Sequence, residues 1–270
     1  MNHILLLVGV TVVFAAVVLL VLWPTVRSGP RLLRNWGVAE STPEQGRIAR
    51  LYLLHRRVLY VVLIIVAGLI GGLTDESQRQ AAFPSAYFPY IGWLLAALLL
   101  GELIAMLRPV NGPVRVATLE RRTIRDVLPM WMIIVHLATV VLSVAGILWA
   151  DVDDRTGAGL PPVWGQVLLV IASAAAVYAV AWLTVARPAA GDAVVDRALR
   201  LRSARVVIGI GTMFAATMLA GALYMIGRWH QTAATVGAVA LLYGLVMWGV
   251  MASAFAFWSG LRGQVPARNG

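Results

Sequence analysis

IGWLLAALLLGELIAML (91–107) and PMWMIIVHLATVVLSVAGILWA (129–150), joined by an arginine-rich loop, decide how this chain is read. At ~1.5 Å of rise per residue, each run reaches across most of a ~30 Å hydrocarbon core. The first run carries a single Asp, Glu, His or Arg side chain, Glu102, and the second carries only His136. Glu102 lies roughly 9 Å along the helix from Arg108, and His136 roughly 10 Å in from Pro129. Two consecutive runs joined on one side of a membrane therefore place an acid and an imidazole at similar depth. Charge in hydrocarbon is costly and usually faces a partner, so Glu102 and His136 are expected to form an intramembrane polar pair. Either the pair exchanges a proton or it serves only to hold two helices together.

Composition supports this reading. The chain has 270 residues, 60% of them hydrophobic and 13% charged, with a mean hydropathy of +0.83. A soluble domain is about a quarter charged, so the apolar residues here cannot all hide in one core. Cysteine is absent, which excludes disulfides, thiolate metal sites and a cysteine nucleophile. Lysine is absent too, which excludes a phosphate-binding loop lysine and Schiff-base chemistry. All 22 basic residues are arginine, and the net charge is +10. The arginines lie between apolar runs, so they are read as orienting charges and not as a nucleic-acid surface.

Seven spans are expected, at about 4–23, 58–73, 91–107, 129–150, 163–186, 206–227 and 232–258, in one integral membrane domain covering 1–270 with no soluble domain. No arginine precedes the first run and Arg27, Arg31 and Arg34 follow it, the reverse of a cleavable signal peptide. Alternate connections place nineteen arginines on one side and three on the other. By the positive-inside rule the N-terminus is outside and the C-terminus cytoplasmic. The fold class is an all-α polytopic bundle, and the location expected is a bacterial plasma (inner) membrane. WPTVRSGP (23–30), RPVNGP (108–113) and RPAAGD (187–192) mark similar inner exits, a weak sign of helical-hairpin repeats.

Three local signals are sharper. Thr42-Pro43-Glu44-Gln45 reads as a capping box opening a helix that runs through the inner arginines straight into the second span. Asp192 is expected to cap a second basic helix, and Asp196 with Arg200 makes a favourable i, i+4 pair. Val116, Leu119, Ile124, Val127 and Leu128 fall near one face of a helix, with Arg121, Arg122 and Arg125 opposite.

Arg56, Arg57, Arg121, Arg122 and Arg125 are candidate contacts for anionic inner-leaflet headgroups, because a guanidinium fork matches phosphate. With a single histidine deep in the membrane and no ligand spacing, neither a metal nor a cofactor is expected, and nucleic acid is not a partner. No catalytic motif is present. The function expected is non-enzymatic: a transporter-like carrier, or an accessory or scaffold subunit with a membrane-protein partner or a second copy of itself. The alternatives are a membrane-embedded enzyme acting on lipid, and a signalling or assembly partner using its arginine-rich inner face.

Overall fold

The computed structural model describes residues 9, 13, 25–35, 38, 40–74, 87–107, 115–116, 123–152, 163–186, 189–190 and 192–230. Its helices are α1 (Ser28–Asn35), α2 (Pro43–Thr74), α3 (Tyr87–Leu107), a single turn α4 (Ile124–Val127), α5 (Met130–Val152), α6 (Val163–Ala186) and α7 (Ala193–His230). The first and seventh expected spans, 4–23 and 232–258, lie outside the described residues.

Local sequence sets the helix starts. The Gln45 amide donates to Thr42 Oγ1 (3.3 Å), and the Thr42 amide donates to Gln45 Oε1 (2.9 Å), closing the capping box before α2. Asp192 Oδ1 accepts from the Val195 amide (3.1 Å) at the start of α7. Asp192 Oδ2 also accepts from Gln45 Nε2 (2.6 Å), so the two caps are tied to each other. The expected 58–73 span is the second half of α2, and 206–227 lies within α7. In both, the basic first part and the apolar remainder form one unbroken helix.

The expected amphipathic face from Val116 to Leu128 needs correcting. Val116 sits in a two-residue antiparallel bridge, with Arg115 opposite Ala190 and Val116 opposite Ala189. Its backbone groups therefore pair across to the loop before α7 and not along a helix. Among the described residues of 116–128, helix is present only at Ile124–Val127.

Among the described residues, three helices are long and apolar enough to cross a membrane: Met130–Ala150, Val163–Ala186 and Val195–Leu223. Within these windows 61% of the α7 residues are buried, against 28% for α5 and 39% for α6, so α7 is the central post. Leu99, Leu128, Met132, Val177, Val180, Val207 and Ile208 fill the space between α3, α5, α6 and α7. A second cluster continues along the same helices around Phe214, Val170 and Ile147. Ser143 of α5 donates to the Ala215 carbonyl of α7 (2.5 Å). The outer faces carry Trp131, Ile134, Val141 and Trp149 on α5, and Trp164, Leu168, Ile171 and Trp182 on α6, all exposed. Monomeric soluble proteins rarely leave so large an apolar surface to water, whereas lipid is as good a neighbour as another apolar helix. The fold is compatible with a membrane location.

At one end, α1 docks on α2 where Gly29 meets Gly46. A Cβ at position 29 would collide with the Gly46 carbonyl. Leu33, Val38, Ala49, Val195 and Ala198 close a small core there between α1, α2 and the first turns of α7.

Candidate functional site

Tyr52, Arg56 and Tyr60 recur every four residues on α2, so they form one stripe along the helix. That stripe meets α3 at Gly101 and Glu102. A Cβ on Gly101 would lie 3.0 Å from Tyr60 Cδ1 and 3.1 Å from a Leu63 methyl, so the glycine lets the two backbones approach. Glu102 is wholly buried, and both its oxygens are taken: Arg56 Nη1 donates to Oε2, and the Tyr60 hydroxyl donates to Oε1.

Arg56, itself 3% exposed, uses its other terminal nitrogen to reach α7, where Nη2 donates to Ser203 Oγ (2.9 Å). Ser203 donates its only hydroxyl proton to the Leu199 carbonyl (2.8 Å). The Tyr52 hydroxyl, 2.8 Å from Ser203 Oγ, must therefore donate to it. Tyr52 in turn accepts from Arg202 Nη1 (3.4 Å). The Arg56 guanidinium lies over the Tyr52 ring at 4.4 Å, with that of Arg202 at 5.7 Å. Away from the small core at their first turns, α2 and α7 are joined mainly by this chain of polar groups. Lower down, Arg200 pairs with Asp196 (2.6 Å) and donates to the Thr184 carbonyl (3.0 Å), fixing α7 to α6.

His136 forms a separate, uncharged site between α5, α6 and α7. Its Nδ1 is 3.3 Å from Thr212 Oγ1. Thr212 spends its single hydroxyl proton on the Ile208 carbonyl (2.7 Å), so Nδ1 carries the hydrogen and donates to Thr212. Nε2 is left with a lone pair and has no partner among the described residues. The Tyr178 ring packs beside the imidazole at 5.6 Å, tilted by 57°, and its buried hydroxyl is likewise unpartnered among the described residues. Gly211 opens the space: a Cβ there would run into Val177 and come within 3.1 Å of His136 Cε1.

The expected pairing of Glu102 with His136 is therefore not what the structure forms. Both are fully buried, but no hydrogen bond joins them, because Glu102 faces α2 while His136 faces α7. Arg56, expected at the headgroups, is the counter-ion of Glu102. Arg57 is half-buried beside it, Arg125 is exposed, and Arg121 and Arg122 lie outside the described residues. Sequence reasoning missed Tyr60 and Ser203; the four-residue repeat of Tyr52, Arg56 and Tyr60 was the available signal. Among the described residues no three His, Asp or Glu side chains are grouped to hold a metal ion. Comparison with protein families, curated proteins and solved structures returns no match.

Proposed function

We propose that this chain is a non-enzymatic membrane carrier. In this reading it forms one seven-span domain in a bacterial inner membrane, with the N-terminus outside and the C-terminus inside. The asymmetry of nineteen arginines against three supports the orientation. One observation carries the carrier reading: a buried ion pair, Arg56–Glu102, with Tyr60 and Ser203, joins α2, α3 and α7 at their arginine-rich ends. Away from the small core at their first turns, α2 and α7 are bridged by these polar groups, and helices bridged in this way can part when the bridge is opened. A packed hydrophobic seam cannot do this without exposing a core. A lipid-processing enzyme is supported less, since no second carboxylate or nucleophile joins Glu102 among the described residues.

The absence of cysteine makes the test direct, because any introduced thiol is the only one. Ala204 is 1% exposed beside the latch, whereas Arg125 is exposed. Ala204→Cys in inside-out vesicles should react slowly with a membrane-impermeant maleimide, and several-fold faster when combined with Glu102→Gln. Arg125→Cys should react at once in the same vesicles and not in right-side-out ones. An Ala204→Cys thiol that stays unreactive in both backgrounds would rule out the carrier reading and leave an accessory or scaffold subunit.

A further inference from the structure

Three charged groups meet where α2, α3 and α7 converge. Arg56 on α2 donates to Glu102 on α3, and Arg202 on α7 donates to the Tyr52 hydroxyl (3.4 Å). The guanidiniums of Arg56 and Arg202 lie 4.4 Å and 5.7 Å from the centre of the same Tyr52 ring, so two cations on different helices share one small space. Glu102 is the fully buried carboxylate beside them, and Arg202 is near enough to act on it. Its remaining surroundings bring no charge. Tyr60 donates a hydroxyl to Oε1, and α6, which also packs on α3, contains no Asp, Glu, His or Arg. His136 on α5 is turned to Thr212 of α7. Arginine keeps its proton under all conditions a protein survives, so Glu102 is the one group of the three whose charge can change.

A proton on Glu102 would leave Arg56 and Arg202 facing each other with no anion between them. Relief comes when the two cations separate with their helices, which breaks the Arg56–Ser203 and Tyr52–Ser203 hydrogen bonds that bridge α2 to α7. The converse also holds. Once Arg56 leaves, a lone carboxylate inside an apolar run takes up a proton sooner than stay charged. We propose that Glu102 is the proton-binding site of the latch, and that one proton taken up there opens it. The proton adds to Oε2, the oxygen that Arg56 Nη1 releases, while the Tyr60 hydroxyl continues to donate to Oε1. Glu102 lies roughly 9 Å along the helix from Arg108, so the inner compartment is the nearer source. The inference rests on the carrier reading and makes the proton the coupling ion of that carrier. The open state holds one more proton than the closed state, so acid favours opening.

The experiment follows maleimide labelling of Ala204→Cys in the full chain, in inside-out vesicles, from about pH 9 to about pH 5. Each rate is divided by that of the exposed Arg125→Cys at the same pH, which cancels the pH dependence of the reagent and of a thiol in water. With Glu102 in place the ratio should rise several-fold as pH falls, by no more than about tenfold per pH unit because one proton is bound. With Glu102→Gln it should be high and flat. Tyr60→Phe removes a donor to the ionised carboxylate but leaves the ion pair, so it should open at a pH higher by roughly one unit. That variant also carries the test if Glu102→Gln does not fold, and a midpoint equal to that with Tyr60 counts against the site. Infrared difference spectra over the same pH series should gain the C=O stretch of a protonated carboxyl, and Glu102→Gln should lack that band. A ratio that is low and flat with Glu102 but high with Gln overturns the proton site and leaves the carrier reading standing. A ratio low and flat in both backgrounds ends both. Equal pH dependence in both means that another group titrates, and overturns the site.

Discussion

Glu102→Leu is the most informative single change. It removes the only acid among the described residues that Arg56 meets, in a setting where Arg56 is 3% exposed, and leaves that guanidinium with Ser203 and the Tyr52 ring. Breaking a buried pair from one side costs about 3–5 kcal/mol, because an uncompensated charge stays behind. The Tyr60 hydroxyl loses its acceptor in the same step, adding about 1–3 kcal/mol if it cannot turn elsewhere. The expected loss for the single variant is therefore about 4–8 kcal/mol. Arg56→Met added to it removes the stranded charge, and Tyr60→Phe removes the stranded hydroxyl. The triple variant should come back to within about 2 kcal/mol of wild type, because apolar groups of similar volume replace a buried pair at little net cost. Reversible unfolding in mixed micelles of rising SDS content, followed by tryptophan fluorescence, reads all three differences. A single variant that loses less than ~1 kcal/mol, or a triple variant as unstable as the single one, would refute the claim that Glu102 is held as the counter-ion of Arg56.

Three further outcomes are expected from the same titration. Gly211→Ala should cost about 1–3 kcal/mol by driving a methyl into Val177 and towards His136, while Gly209→Ala, where a Cβ meets nothing within 4 Å, should be neutral or gain up to ~1 kcal/mol. Asp192→Ala should cost about 2 kcal/mol, since it removes both the α7 cap and the acceptor for Gln45; Thr42→Ala, which removes only the α2 cap, should cost about 1 kcal/mol. The hydrogen bond from Arg47, ahead of its charge, holds the Glu44 carboxyl below the usual value. Any stability it contributes is present above the unfolded carboxylate range and fades as pH falls through the folded value. Because the pair is fully exposed, Glu44→Gln should leave the unfolding curve at neutral pH unchanged.

What could be read from sequence was what depends on near neighbours in the chain. The Thr42–Gln45 box, the Asp192 cap and the Asp196–Arg200 pair all formed, because each needs only three or four residues and a helix. The α6 limits were read directly, since an acidic loop and two prolines bound the apolar run. Burial was readable too: Glu102 and His136 are both fully buried, as ionisable residues inside apolar runs should be. Azimuth was not. Which helix a side chain faces depends on which helices are neighbours, and periodicity within one span does not carry that information. Arg56 was assigned to the headgroups because a guanidinium fork in a basic patch matches phosphate, yet on its long stem it reaches a carboxylate on the adjoining helix.

The two polar sites share a construction that explains why they are separate. In each, a glycine precedes or packs on the residue that must reach across: Gly101 adjoins Glu102, and Gly211 adjoins Thr212, the partner of His136. A short or rigid polar side chain can bond to another helix only where the backbones come close, and a missing Cβ permits that approach. In the charged site both carboxylate oxygens accept a hydrogen bond, from Arg56 and Tyr60, and Arg56 reaches on to Ser203, although its Nε has no partner among the described residues. The histidine site is uncharged and tolerates an unpartnered Nε2. What separates the two is the counter-ion: an unpaired charge in this interior would cost far more than an unpaired neutral acceptor. Function that requires opening and closing is therefore best sought where Arg56 bridges α2 to α7 through Ser203, since α2 and α3 are themselves closely packed at Gly101.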